Sequence, residues 1–324
     1  MLGKRKPHGS FTEIEWARRK RACTWLRDID RLIRWKPMEH QLKKLYPSHL
    51  GRPSHPPLAM FKALLLAQWY DLSDPELEEQ LLDRRSFQEF CGFGVWDDIP
   101  DETSFVVFRQ RLMERGLDKK MFEYINRQLE EGGWVLKRGT LVDATLVASA
   151  VKKPPKPKEG EEQETNDPEA GWGCRQGQPP VHGYKVHVGV DQGSQIIRKI
   201  AVTPANVSDT ECFDEMLSGD EPAVFADKGY MKKERIRLLR QCGIFAGIMR
   251  KGYRAHPLKR SCIRKNRRFV GVRAPVEGVF GRAKRLYGYM RTRYIGVRKN
   301  LLKAHMLAIA MNLTRLRSLA YASA

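Results

Sequence analysis

The sequence lacks paired cysteines. Its six, Cys23, Cys91, Cys174, Cys212, Cys242 and Cys262, are scattered with no C-x-x-C among them, which argues against a disulfide framework and against a cysteine-based structural zinc site. The histidines form no H-E-x-x-H, so the helical zinc-protease pattern is absent as well. No apolar run approaches the roughly 18 residues that a membrane span needs, and no charged-then-apolar leader opens the sequence. A cytoplasmic protein with no membrane partner is expected. Acidic residues are scarcest from Arg250 through Lys299, where seventeen Lys and Arg accompany a single carboxylate, Glu277.

Positive charge is in excess. The net charge of +21 points to nucleic acid before anionic membrane, because cations that neutralise phosphates release counterions and drive association. With 324 residues and 41% apolar content, the chain can build two domains around real cores. A lone carboxylate in so positive a segment has two readings. It pairs with a neighbouring Arg on a helix, or it meets a phosphate backbone through a divalent cation, since carboxylate and phosphate otherwise repel. Partner carboxylates elsewhere decide between them.

The first part, residues 1–134, reads as helical. Ser10 to Glu13 and Thr12 to Glu15 are overlapping capping boxes, followed by Trp16, a basic run at 18–21 and apolar Trp25, Ile29, Leu32 and Ile33 at helical spacing. Further helices are predicted after Pro56-Pro57, over Ser73 to Leu82, and from Glu102 to Arg115. Short helices joined by Gly/Pro turns fit a DNA-binding bundle in which Thr103, Ser104, Arg109 and Arg111 reach the duplex. The alternative use of the same helices is dimerisation or support of the second domain.

Residues 135–324 change to strands. Thr140 to Val147, Tyr184 to Val190 and Ile196 to Val202 are β-branched and apolar. Between the first two lies a Pro-, Gly-, Lys- and Glu-rich insertion at 152–181, predicted to be loop. Then come a predicted helix Val207 to Leu217, a strand Ala223 to Ala226, a helix Lys232 to Gln241, a strand Ile244 to Met249 and a C-terminal helix over Leu301 to Leu316. This order predicts an α/β fold, a mixed five-stranded sheet flanked by helices, preceded by the helical domain.

Two further acids fall at sheet positions. Asp143 sits inside the first strand, where an ionised group among Leu141, Val142 and Leu146 costs several kcal/mol unless paired or metal-bound. Asp227 follows its strand directly, at the carboxyl end where open α/β sheets place ligands. Each has a plain structural alternative, a cross-strand acceptor or a turn or helix cap. With Glu277 they number three, enough to hold two divalent cations about a scissile phosphate. Pro275 is predicted in a first helical turn, which would put Glu277 near a helix N-terminus. Lys284, two turns later, projects from the same side. Gly278 and Gly281 each cost about 1 kcal/mol relative to Ala inside a helix, which suggests close approach of backbone or DNA.

Val-Asp143-Ala-Thr, Ala-Asp227-Lys-Gly-Tyr and Arg273-x-x-x-Glu277 with Lys284 seven later resemble the DDE transposases of bacterial insertion sequences, specifically the insertion-sequence-5 group. Pro100-Asp-Glu-Thr-Ser, Phe108-Arg, Asp167-Pro-Glu-Ala, His182-Gly-Tyr-Lys-Val-His187 and Thr203-Pro-Ala-Asn-Val-Ser-Asp209 extend the likeness over roughly 45–317. One departure is Val270, where the wider pattern has Tyr. The resemblance implies a ribonuclease-H-like fold, catalytic and metal-binding Asp143, Asp227 and Glu277, and two Mg²⁺ (or Mn²⁺) ions. It also implies double-stranded DNA as partner, both terminal inverted repeats and target, and a homodimer on DNA. Arg273 and Lys284 would hold phosphate oxygens. Lys185 and His187 on one strand face, and Trp172 stacking on an unpaired base, are further candidates for DNA contact. A nuclease that cuts without joining, or a domesticated DNA-binding protein without chemistry, are the alternatives.

Overall fold

The computed structural model describes residues 24–46, 54–94, 96–152, 154, 165–174, 177, 179–252 and 257–322. The capping boxes at 10–15, Trp16, the basic run at 18–21 and much of the 152–181 insertion lie outside them. The chain divides into two compact units, one running to Glu131 and resuming at His305, the other spanning Gly132–Ala304.

The helical unit contains α1 (Thr24–Leu32), α2 (Lys36–Lys43), α3 (Pro57–Trp69), α4 (Asp74–Asp83), α5 (Arg85–Cys91), α6 (Glu102–Glu114) and α7 (Leu117–Glu131). Helix α3 begins at the predicted proline and is buried at every position from Pro57 to Gln68 but Leu58, as expected of a helix without a polar face. Helix α4 starts in a capping box, Ser73 accepting from the Glu76 N–H while the Glu76 carboxylate accepts from the Ser73 N–H. The last helix, α10 (Val297–Ala322), contributes its residues from His305 onward to this unit. There His305 Nδ1 lies 2.8 Å from the buried Asp118 carboxylate, and Trp69 donates to the Ala310 carbonyl at 3.0 Å.

The second unit is built on a ribonuclease-H-like mixed sheet. Its strands are β1 (Thr140–Ala148), β2 (Gly171–Gly173), β3 (Val181–Asp191), β4 (Ile197–Pro204), β5 (Ala223–Ala226) and β6 (Phe245–Ile248). β1 pairs antiparallel with β3, which pairs antiparallel with β2 and β4. On its other side β1 runs parallel to β5, and β5 parallel to β6. The sixth strand, β2, falls inside the segment predicted to be loop. It can form because Gly171 and Gly173 carry no side chain where a Cβ would come within 2.2 Å of Asn206 and 2.9 Å of Ala205.

Helix α8 (Lys233–Gln241) packs against β6, and helix α9 (Arg260–Leu286) against β1 and β5. The core on the α8 face joins Val142, Val224, Ala226, Ile236 and Leu239 with Phe213, Met216 and Tyr230. The helix predicted over Val207 to Leu217 is replaced by turns and one short 3-10 segment, Asp214–Met216. Ser208 and Thr210 bond each other and the local backbone there, competing with a helical ladder.

Candidate active site

Parallel register brings two of the three acids together. Val142 is paired with Ala226, so the next residue on each strand, Asp143 and Asp227, leaves its strand at the same level and on the same side. Asp143 is nearly enclosed and Asp227 half-exposed, with side chains 17% and 42% accessible. One Asp143 oxygen accepts the Ala144 N–H at 2.9 Å.

Arg273, from α9, faces both carboxylates. Its Nη2 lies 3.2 Å from Asp143 Oδ2 and its Nη1 3.9 Å from Asp227 Oδ1. Nη1 also lies 3.6 Å from the Met249 sulfur just beyond β6, and Nε meets no partner among the described residues. At 3.9 Å the Asp227 contact is ionic without being a hydrogen bond. Asp227 also makes no side-chain cap to the short 3-10 turn Lys228–Tyr230 that it precedes. Its carboxylate is therefore half-exposed beside the Arg273 guanidinium.

Glu277 is one turn beyond Arg273 on α9 and exposed, on the same side of the helix as that arginine. Among the described residues no three His, Cys, Asp or Glu side chains are close enough to hold a metal ion. Asp143 and Asp227 both face Arg273, and Glu277 does not complete a three-ligand group with them. Its place on the helix also differs from the sequence-based expectation. Pro275 lies deep inside the 27-residue α9, where a proline removes one hydrogen bond and crowds a carbonyl at a cost of about 3 kcal/mol. Packing of Arg273, Val276, Val279, Phe280 and Ala283 against the sheet carries the helix through. Glu277 is consequently not at a helix N-terminus. Lys284, on the following turns, is half-buried.

Several residues proposed for DNA contact are turned inward. Lys185 and His187 pair across the strands with Leu146 and Ala144, whereas Asp143 pairs with Val188; both therefore lie on the sheet face opposite Asp143. His187 is fully buried with Nε2 3.0 Å from Thr203 Oγ1, and burial depresses its pKa to about 4. Lys185 donates to the Val207 carbonyl at 2.6 Å and sits 2.7 Å from Asp209. Trp172 is part of β2 and packs at 5.4 Å on the buried His182 ring. In the helical unit, Arg109 is buried and bonds both oxygens of Asp74, one at 2.7 Å, so it does not reach outward. Arg111 lies over the Tyr46 ring at 4.7 Å. Thr103 Oγ1 and the Ser104 N–H both bond Asp101, the cap of α6.

Other motif residues hold the fold. Asp167 is wholly buried and accepts from Tyr184 at 2.6 Å and from Ser149, while Glu169 accepts from the Val297 N–H at 2.5 Å. The Asp167-Pro-Glu-Ala motif thus ties the end of the insertion to β1, β3 and the start of α10. Tyr230 is buried without a hydroxyl partner among the described residues. Burial and, secondarily, the nearby Asp209 and Asp143 carboxylates hold its phenol protonated. Met249 and Asn266 were not singled out from sequence, because an apolar residue after a strand and an Asn in a basic run carry no pattern. Asn266 accepts from the Arg250 N–H and donates to the Arg250 carbonyl, both at 2.9 Å.

A family model described as "Transposase domain (DUF772)" matches residues 15–111. A second, described as "Transposase DDE domain", matches residues 134–313, more than half of the chain. The solved structure of a piggyBac transposase synaptic complex with hairpin DNA is 10% identical and covers 93% of this chain and 73% of that one, with a TM-score of 0.46. At that score the backbones diverge too far for residue correspondence. Among the described residues no helix is long and apolar enough to cross a membrane. The matched span holds β1 with Asp143, β5 with Asp227 and α9 with Arg273 and Glu277, and the chain belongs to the DDE transposases.

Proposed function

We propose that this transposase cleaves DNA at the ends of a mobile element and joins the freed 3′ ends to target DNA. Asp143, Asp227 and Glu277 would together hold two divalent cations, Mg²⁺ or Mn²⁺. The observation that carries this reading is the pairing of Asp143 and Asp227 at the same level of two parallel strands, facing one buried cationic group. Hard oxygen donors of this kind suit such cations. When bound, the cations lower the pKa of an attacking water or 3′-hydroxyl and stabilise the leaving oxygen.

The chain's own residues do the rest. The strand backbones fix both Asp carboxylates, and the Ala144 N–H orients that of Asp143. Arg273 offsets part of the pair's negative charge, and on DNA it offers its fork to a non-bridging phosphate oxygen. Glu277, exposed and one turn from Arg273, completes the set by turning its flexible side chain toward the strands. Water and the DNA 3′-hydroxyl serve as the nucleophiles, so no covalent protein–DNA intermediate is needed and Tyr230 has no nucleophilic role. Cutting the two ends of one element calls for two copies of the site and hence a dimer on DNA.

The test is incubation with element-end DNA, a target plasmid and Mg²⁺. Joined products are expected. Cleavage without joining indicates a nuclease, and retention of DNA without either indicates a binding protein, and both overturn the proposal. Asp143→Asn and Asp227→Asn should abolish cleavage and joining with DNA binding intact, and full activity in either removes that residue from the site.

A further inference from the structure

A second cationic site stands on the other side of the same sheet edge. Helix α8 is the crossover between β5 and β6, and on its outer surface Lys233, Arg237 and Arg240 line a cleft of about 480 Å³ with Arg250, Ile236 and Gln241. No acidic side chain lines it. Lys233 and Arg237, and Arg237 and Arg240, stand one helical turn apart, a spacing at which like charges destabilise a helix. None of the four cations has an acidic partner among the described residues. The α8 arginine that does serve the fold, Arg235, is buried and donates to the Tyr230 and Thr210 carbonyls at 2.9 and 2.7 Å. Arg237 and Arg240 are exposed and have no such task.

The cleft is tied to the carboxylates through the backbone. Met249, which touches Arg273, donates its N–H to Ala226, the residue before Asp227, at 3.1 Å. Arg250 follows at once, and its backbone is clamped on both sides by Asn266 of α9. Strand alternation sends Met249 and Arg250 to opposite faces.

We propose that this cleft binds the phosphodiester backbone of DNA beside the strand held at Asp143 and Asp227, an inference that rests on the DNA-cutting reading of that site. Four converging cations with no acid select a polyanion. With no aromatic side chain in the lining there is no platform for a base, so the contact is to phosphate and is independent of sequence.

The experiment is titration of the full chain with labelled duplex DNA of element-end and of unrelated sequence, at several salt concentrations. The variant is Lys233→Ala/Arg237→Ala/Arg240→Ala, with Arg115→Ala/Lys119→Ala/Lys120→Ala on exposed positions of the helical unit as charge-matched control. Each lost phosphate contact lowers the slope of log K against log salt by about 0.9. The cleft variant should therefore lose a slope of about 2 to 3, and about tenfold or more in affinity near physiological salt, equally on both DNAs. The control should change far less. An unchanged slope in a folded cleft variant, or an equal loss in the control, overturns the proposal. If the wild type joins ends normally while the cleft variant binds unchanged, the cleft assignment alone fails. If the wild type neither cuts nor joins, the reading of the carboxylate site fails with it.

Discussion

Arg109 of the helical unit and Arg273 of the second unit have side chains 9% and 8% accessible, yet their guanidinium groups are engaged differently. Arg109 forms a bidentate pair with one carboxylate on the neighbouring helix α4, the geometry in which Arg satisfies an acid most completely. Arg273 is shared between two carboxylates and a thioether at 3.2 to 3.9 Å, with Nε left over. A buried cation with a complete partner is part of the fold. A buried cation shared between two acids at the ends of neighbouring strands marks a place where something else can bind.

The comparison breaks most directly by removing each arginine. Arg273→Ala should lower strand transfer by about 10²–10³-fold, the scale on which a preorganised charge-stabilising donor acts, with a smaller loss of stability. Arg109→Ala strands Asp74 and should cost about 3 kcal/mol of unfolding free energy without changing activity per folded molecule. Denaturant titration and a strand-transfer assay on both variants check this, and exchanged outcomes would remove the distinction.

His187 sharpens it, being buried with Nε2 on Thr203 and Nδ1 unpartnered among the described residues. Its pKa falls from 6.5 to about 4, mainly through burial. The folded state therefore binds fewer protons than the unfolded state between those values, and stability must fall as pH drops from about 6.5 to 4, by roughly 3 kcal/mol at most. His187→Gln should flatten that part of the stability–pH curve, and an unaltered curve would count against the assignment.

Two glycines give the smaller effects. A Cβ on Gly183 would come within 2.2 Å of the Val147 carbonyl oxygen, so Gly183→Ala should destabilise by about 1–3 kcal/mol. A Cβ on Gly278 meets nothing nearer than an Arg282 nitrogen at 3.7 Å. Gly278→Ala should therefore stabilise the free protein by about 0.5–1 kcal/mol, while weakening DNA binding if the helix there is approached by a strand. Thermal denaturation with and without DNA separates the two contributions.

Much of the second unit was legible because strands announce themselves locally. The β-branched runs around Asp143 and before Asp227 identify the two strand acids, and parallel register then joins them. Helix α9 was harder, because Pro275 reads as a beginning whereas burial of Val276 and Phe280 makes it an interior residue. The direction of individual cations was not legible. Arg109, Arg237 and Arg240 look alike in sequence, and only the placement of Asp74 separates the first from the others. Trp172 was misplaced for a similar reason. Its strand depends on His182 and on glycines that fit against a distant turn.

Glu277 is the residue on which the account turns, since of the three acids it alone is exposed. The most direct test is strand transfer by Glu277→Gln in Mg²⁺, with DNA binding measured on the same preparation. The account predicts binding near that of the wild type and a loss of cleavage and joining as complete as in Asp143→Asn and Asp227→Asn. Joining at the wild-type rate would contradict it.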